Sequence, residues 1–263
     1  MSALLFFDID GTLITLGNNH VMPESTKEAL RKAKANGHKI FINTGRVKTA
    51  LDKHLLDFGF DGFVCGCGTY IEYEGKPILY HQLTKEQCVR YAELLRKYKF
   101  QTLFEGKDRL FIEGDHEPGS FMEYVYTYFS MNSDYPIEGV EHPEFCYDKF
   151  TTTRFPESDM EAFVRDFEKE FSLIPHFGNV YEAVPKGYSK ATGIEYLVQY
   201  LGEKLENCYA FGDSINDMEM LKYVPHAVGM GNSVEEVFSV VEYRTTDILE
   251  DGIANALIHY GLI

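Results

Sequence analysis

A run of five apolar residues, Ala3 to Phe7, ends at two aspartates, Asp8 and Asp10, set one residue apart in "LLFFDIDGTLI". A continuous apolar run is expected of a strand buried on both faces, and such strands belong to parallel sheets covered by helices. That strand must deliver two carboxylates to one end of the sheet. Two like charges so close raise the free energy of at least one ionised form unless a cation or a proton sits between them.

The chain up to about residue 81 alternates in the same way. A helix is expected around Ser25: Ser25 and Glu28 have capping-box spacing, Ala29, Leu30 and Ala33 form an apolar stripe, and Gly37 is placed to stop it. "HKIFIN" reads as a second strand running into "NTGR". A helix from about Val47 to Phe58 follows, with Ala50, Leu51, Leu55 and Phe58 on one face, and then "GFVCGCG" as a third strand. This order argues for an α/β chain whose parallel sheet has helices on both sides, with the reactive loops at the carboxyl ends of the strands. Asp8, Asp10 and Thr44 all fall at that edge.

From about Gln82 to Glu182 the texture changes. Aromatics become dense, as in "FMEYVYTYF"; "FQTLF", "RLFIEG" and "YDKFTTTRF" read as strands, and "KEQCVRYAELLRKY" and "ESDMEAFVRDFEKEF" as helices. The alternation returns after "AVPKGYSK". Residues 1–81 and 183–263 therefore form the α/β core, and 82–182 an inserted α+β module of ordinary domain size. Phe104, Tyr124, Tyr126 and Tyr128 are expected mainly to pack that module's own core, since most aromatics are used in burial.

The net charge is −16, from 41 acidic and 25 basic residues, which works against non-specific binding to nucleic acid or anionic membrane. An anionic substrate would need a local positive site. Five cysteines, Cys65, Cys67, Cys88, Cys146 and Cys208, are irregularly spaced and odd in number; they read as reduced thiols of a cytoplasmic protein. The apolar run before Asp8 is too short for a signal peptide or a membrane span.

Four segments carry chemistry. In "DIDGT", Gly11 permits the bend that lets two strand-end carboxylates share a hard cation such as Mg²⁺. A carboxylate can attack phosphorus while a neighbouring acid gives its proton to the leaving group. In "NTGR", the Thr44 hydroxyl and nearby N–H groups suit an anion, although Thr44 could equally cap a helix and Arg46 be an ordinary surface residue. In "KGYSK", Lys190 near a helix start can neutralise phosphate charge, as can Lys186 before it. In "GDSINDMEML", an apolar strand ends at Asp213, which can complete the metal's oxygen set; Asn216 can donate to phosphate, and Asp217 can hold a ligand or the lysine from behind.

Taken together, "FFDIDGTLI", "INTGR", "KGYSK" and "GDSINDMEML" resemble, in order and spacing, the four motifs of the haloacid dehalogenase superfamily. The likeness is to its Cof-type phosphatases, and "DGIANAL" near the C-terminus resembles that branch's ending. The resemblance covers the whole chain. It implies a Rossmann-like core with a large α+β cap. It also implies attack by Asp8, to form an aspartyl-phosphate, and acid–base work by Asp10. Mg²⁺ would be held by the Asp8 carboxylate, the Asp10 carbonyl and Asp213. Thr44, Lys190 and Asn216 would bind the phosphoryl oxygens, with Asp217 behind them. The substrate would be a small phosphorylated metabolite, sugar phosphates favoured, and the protein a monomer or weak homodimer. One loop departs from the branch: Cys67 stands where Asn is usual and Thr69 where Ala is, in "CGCGTYI". A phosphomutase on the same core, and a non-catalytic phospho-receiver or ligand-binding module, are the alternative readings.

Overall fold

The computed structural model describes residues 2–17, 20–113, 120–175 and 178–263. In chain order its strands are β1 (Leu4–Phe7), β2 (Lys39–Asn43), β3 (Gly62–Cys65), β4 (Tyr70–Tyr73), β5 (Lys76–Tyr80), β6 (Phe100–Glu105) and β7 (Leu110–Ile112). There follow β8 (Ile137–Gly139), β9 (Lys149–Arg154), β10 (Phe171–Pro175), β11 (Val180–Pro185), β12 (Cys208–Gly212), β13 (His226–Gly229) and β14 (Tyr243–Arg244). The chain forms two compact units. The first comprises Met1–Gly45, Phe60–Ile78 and Ser189–Ile263; the second comprises Arg46–Gly59 and Leu79–Tyr188.

The first unit is built on a sheet of order β14-β13-β12-β1-β2-β3-β4-β5. Every pairing from β14 to β3 is parallel, and β4 turns back antiparallel on β3. β1 lies in the middle, and none of its four side chains reaches solvent, as its apolar run requires. Phe7 is level with Ile42 of β2 and Phe211 of β12. The residues just beyond those strands, Asp8, Thr44 and Asp213, therefore leave the sheet at one edge.

Two helix expectations change. The first helix spans Glu24–Ala35 with Pro23 in the cap position and no side-chain cap, so Ser25 lies inside the first turn. The expected Val47–Phe58 helix is a short Lys48–Ala50 turn, two extended residues at Leu51 and Asp52, and a single helical turn at Lys53–Leu56. The hairpin of β4 and β5 carries left-handed Glu74 and Gly75 at its turn, a signal present in "YEGK". Among the other strands, the reading of "RLFIEG" extends to Gly114, outside the described residues.

The second unit has a six-stranded sheet, β10-β11-β9-β6-β7-β8, antiparallel except between β7 and β8. Successive side chains point to opposite faces. Phe104, Phe111 and Phe150 join Cys88, Tyr91 and Leu95 of the Lys85–Lys97 helix and Phe163 and Phe167 of the Met160–Phe167 helix in one core. Leu103, Leu110 and Ile112 meet Met122 and Val125 of the Phe121–Asn132 helix in another, together with Val47 and Ala50. That packing, with the Thr49 hydroxyl donating to Gly106 O at 2.8 Å, accounts for both the broken helix and the place of Arg46–Gly59 in this unit. Phe104 is buried in the first core, Tyr128 donates its hydroxyl to Asp52 at 2.6 Å, and Tyr124 and Tyr126 are exposed. All five cysteines are free thiols. Among the described residues no helix is long and apolar enough to cross a membrane.

Candidate active site

Asp8 continues the ladder of β1, its N–H donating to Phe211 O at 3.0 Å. The chain then folds into a tight turn, in which the N–H groups of Leu13 and Ile14 both donate to Ile9 O at 2.9 Å and that of Gly11 donates to Ile14 O. Gly11 has φ of +87°, and a Cβ there would lie 2.4 Å from Asp213 Oδ2. Only glycine meets both demands, the left-handed backbone and the close approach. This is how two acid-bearing loops come together. Thr12 ties them: its hydroxyl donates to Asp213 Oδ1 at 2.8 Å.

On the other side, the turn after β12 is organised by Asp217. Its Oδ2 accepts from the N–H groups of Asp213 and Ser214 at 2.9 and 3.0 Å. Its Oδ1 accepts from Lys190 Nζ at 2.5 Å. Both oxygens of this fully buried carboxylate are thereby committed. Lys190 is the first residue of the Lys190–Leu201 helix, capped by Ser189 and Thr192 in a reciprocal capping box. The Asn43 amide donates to Lys190 O at 3.0 Å, joining that helix start to the end of β2. The ammonium also reaches Asp8 Oδ1 at 2.6 Å.

Electrostatics follow from burial. Desolvation and the neighbouring Asp217 push the Asp8 carboxyl well above its usual range, against the pull of Lys190. Burial and Asp217 raise Asp213 to about 7. Burial works against a charged Lys190, but Asp217 and Asp8 outweigh it and hold the ammonium protonated. Asp8, Asp213 and Asp217 offer carboxylate oxygens within 4.8 Å of one another. When all three are ionised, these carboxylates outnumber the one ammonium by two charges, which a divalent cation would offset. All the donors are oxygen, the chemistry that suits Mg²⁺.

Asp10 is partly exposed and close enough to raise both Asp8 and Asp213 by its charge. Thr44 is buried; its N–H donates to Val64 O and its carbonyl accepts from Cys67 N at 3.0 Å. Asn216, half-buried, accepts the Ser214 hydroxyl on Oδ1 at 2.7 Å, which leaves its amide nitrogen as the opposite edge. Sequence reasoning passed over Thr12, although it stands inside "DIDGT", and Asn232, which no local pattern marks. In the unusual "CGCG" loop, Gly66, Cys67 and Gly68 are all left-handed, and a Cβ on Gly68 would lie 2.6 Å from Ser189 O. The loop is thus packed hard against the start of the helix that carries Lys190.

A family model described as haloacid dehalogenase-like hydrolase matches residues 5–257. The candidate phosphatase YkrA of Bacillus subtilis (strain 168) is 30% identical over 273 residues, covering 100% of this chain and 99% of its own. The HMP-PP phosphatase of Escherichia coli O6:H1 is 27% identical over 90% of this chain and 87% of its own. Among solved structures, the subclass IIB sugar phosphatase BT4131 superposes with a TM-score of 0.84 at 28% identity over 100% of both chains. A phosphatase of the same superfamily from Bacteroides thetaiotaomicron, BT1666, superposes with a TM-score of 0.82, also at 28% identity, over 100% of this chain and 96% of its own. The chain belongs to the haloacid dehalogenase-like hydrolase family and is an enzyme of its phosphatase type.

Proposed function

We propose that this enzyme hydrolyses phosphate monoesters of small metabolites, sugar phosphates favoured, through an aspartyl-phosphate on Asp8. The observation that carries the reading is the Lys190 ammonium bridging Asp8 and Asp217 inside a buried acidic cluster. Lys190 occupies Asp8 Oδ1, so Oδ2 is the oxygen that attacks phosphorus. The P–O bond to the alcohol breaks, and Asp10 gives its proton to the departing oxygen. Asp10 then takes a proton from water, which attacks the aspartyl-phosphate; the bond to Asp8 breaks and inorganic phosphate leaves. Thr44, Lys190 and Asn216 hold the phosphoryl oxygens, and Asp217 fixes the lysine.

Asp8, Asp213 and the Asp10 carbonyl would hold Mg²⁺, which would supply charge neutralisation and Lewis-acid polarisation of the phosphoryl group. The inserted module, residues 82–182, selects the alcohol. The names of the related sugar and HMP-PP phosphatases support a small phosphorylated substrate. The protein acts in the cytoplasm as a monomer or weak homodimer, without nucleic acid or membrane.

Release of phosphate from p-nitrophenyl phosphate with and without chelator tests this. Turnover is expected to vanish in EDTA and in Asp8→Asn; unchanged turnover in either would refute the proposal. A panel of sugar phosphates and other phosphorylated metabolites then ranks the substrates.

A further inference from the structure

The geometry points to Asn232 as a positioning residue for Asp10. The inference rests on the proposed acid–base role of that aspartate. Asn232 stands outside all four motif segments, in the loop after β13. Its amide is engaged at both ends: Nδ2 donates to Gly11 O at 2.8 Å, and Oδ1 accepts from Ile248 N at 3.0 Å. A backbone N–H can only donate and a carbonyl can only accept, so the orientation of the amide is dictated by its partners.

Gly11 is the residue immediately after Asp10, and its carbonyl is where the turn could pivot. The other side of the same turn is held by Thr12 on Asp213 Oδ1. Gly11 itself is left-handed with no room for a Cβ, so steric bulk cannot fix its backbone. The Asn232 hydrogen bond supplies that restraint from behind.

The loop that carries Asn232 also serves the fourth segment. Met230 N donates to Gly212 O at 3.1 Å, and Val234 N donates to Asp213 O at 3.0 Å. One five-residue stretch, Met230 to Val234, thus sets both acid-bearing loops, and Asn232 is the side chain by which it reaches the first. Gly231 lets the stretch lie against the 246–247 backbone, where a Cβ would meet Asp247 N at 2.4 Å. Ile248, the other partner of Asn232, anchors the amide to the same backing segment.

Asp10 must donate a proton to the leaving oxygen and later withdraw one from water. Loosening its turn should therefore damage the steps that need proton transfer more than those that do not. Phenyl phosphate has a more basic leaving group than p-nitrophenyl phosphate and depends more on the acid. In Asn232→Ala, kcat/KM for phenyl phosphate is expected to fall about tenfold further than that for p-nitrophenyl phosphate. The aspartyl-phosphate, trapped by acid quench, should accumulate, and kcat and KM for p-nitrophenyl phosphate should fall together as its hydrolysis becomes limiting. In the metal-free protein, the amides of Leu13 and Ile14 should exchange faster.

Asn255→Ala is the control: it removes bonds to Thr246 and Glu250 in the backing segment without touching Gly11. It should leave the ratio and the phosphoenzyme level unchanged. Should the alanine variant not fold, Asn232→Asp makes the same test, since it keeps the acceptor for Ile248 N and loses the donor to Gly11 O. Asp10→Asn is the reference and should show both signatures at full strength. If Asp10→Asn shows neither, the acid–base reading falls and the role of Asn232 with it. If Asp10→Asn shows them but the Asn232 variant loses both esters in parallel, or keeps both, Asn232 merely supports the fold and the inference is overturned.

Discussion

Asp148 makes the second unit sensitive to pH in a calculable way. It is fully buried; the Tyr80 hydroxyl donates to its Oδ1 at 2.7 Å, while Oδ2 has no hydrogen-bond partner among the described residues. Burial, opposed in part by the Tyr80 bond, pushes its carboxyl up to about 8. In the unfolded chain the value is about 3.9. The folded pKa is the raised one, so the fold favours the protonated acid: its contribution is complete below about pH 4 and is lost as the pH climbs to about 8. At about 1.4 kcal/mol per unit, folding with Asp148 neutral costs about 4 kcal/mol at pH 7 but only about 1.5 kcal/mol at pH 5.

Asp148→Asn keeps an acceptor for Tyr80 and replaces the orphan oxygen with an amide that does not titrate. How well the amide fits affects both pH values equally. The stability of the variant relative to the parent should therefore rise by about 2–3 kcal/mol between about pH 5 and pH 7. For a unit of this size that corresponds to a change of roughly 6–15 °C in the difference between the two melting midpoints. Calorimetric melting of both proteins at the two pH values reads it directly. An offset that is the same at both, or that moves toward the parent at higher pH, would mean that Asp148 is ionised in the fold and that the reasoning from its burial is wrong.

Other substitutions probe the remaining geometry. Gly11→Ala places a methyl 2.4 Å from Asp213 Oδ2; it should cut kcat by about 100-fold or more, seen in steady-state assays, while circular dichroism stays that of the parent. Lys190→Met strands Asp8 and Asp217 in a buried site and should lower the unfolding free energy by about 3 kcal/mol in urea titrations, with turnover abolished. Lys149 bridges Glu105 and Glu182 at 2.6 and 2.7 Å in the second unit. Lys149→Met should destabilise by about 3–5 kcal/mol, and adding Glu105→Gln and Glu182→Gln should recover most of it.

The sequence was legible where one local pattern had one meaning. The apolar run before Asp8 forces a central buried strand, and the parallel register carries Asp8, Thr44 and Asp213 to one edge without further information. Lys190 and Asp217 were legible as candidates because each stands at a helix or turn start after a strand. Spacing misled where distant partners decide. The apolar residues of 47–58 have helical spacing, but Val47 and Ala50 pack against Leu103 and Met122, and Thr49 bonds to Gly106, so the helix breaks at Leu51. The pairing of Asn232 with Gly11 spans 221 residues, and nothing local to either residue announces it. The β4–β5 hairpin did have a local signal in its Glu-Gly turn, which the glycine-rich loop before it obscured.

Covalent phosphate on Asp8 is the claim on which the mechanism stands. Acid quench of the enzyme during turnover, followed by digestion and mass spectrometry, locates it. A phosphoryl increment on the peptide carrying Asp8, absent from Asp8→Asn and released as the substrate is exhausted, is the predicted result. Full turnover with no increment there, or with the phosphoryl group on another residue, would contradict it.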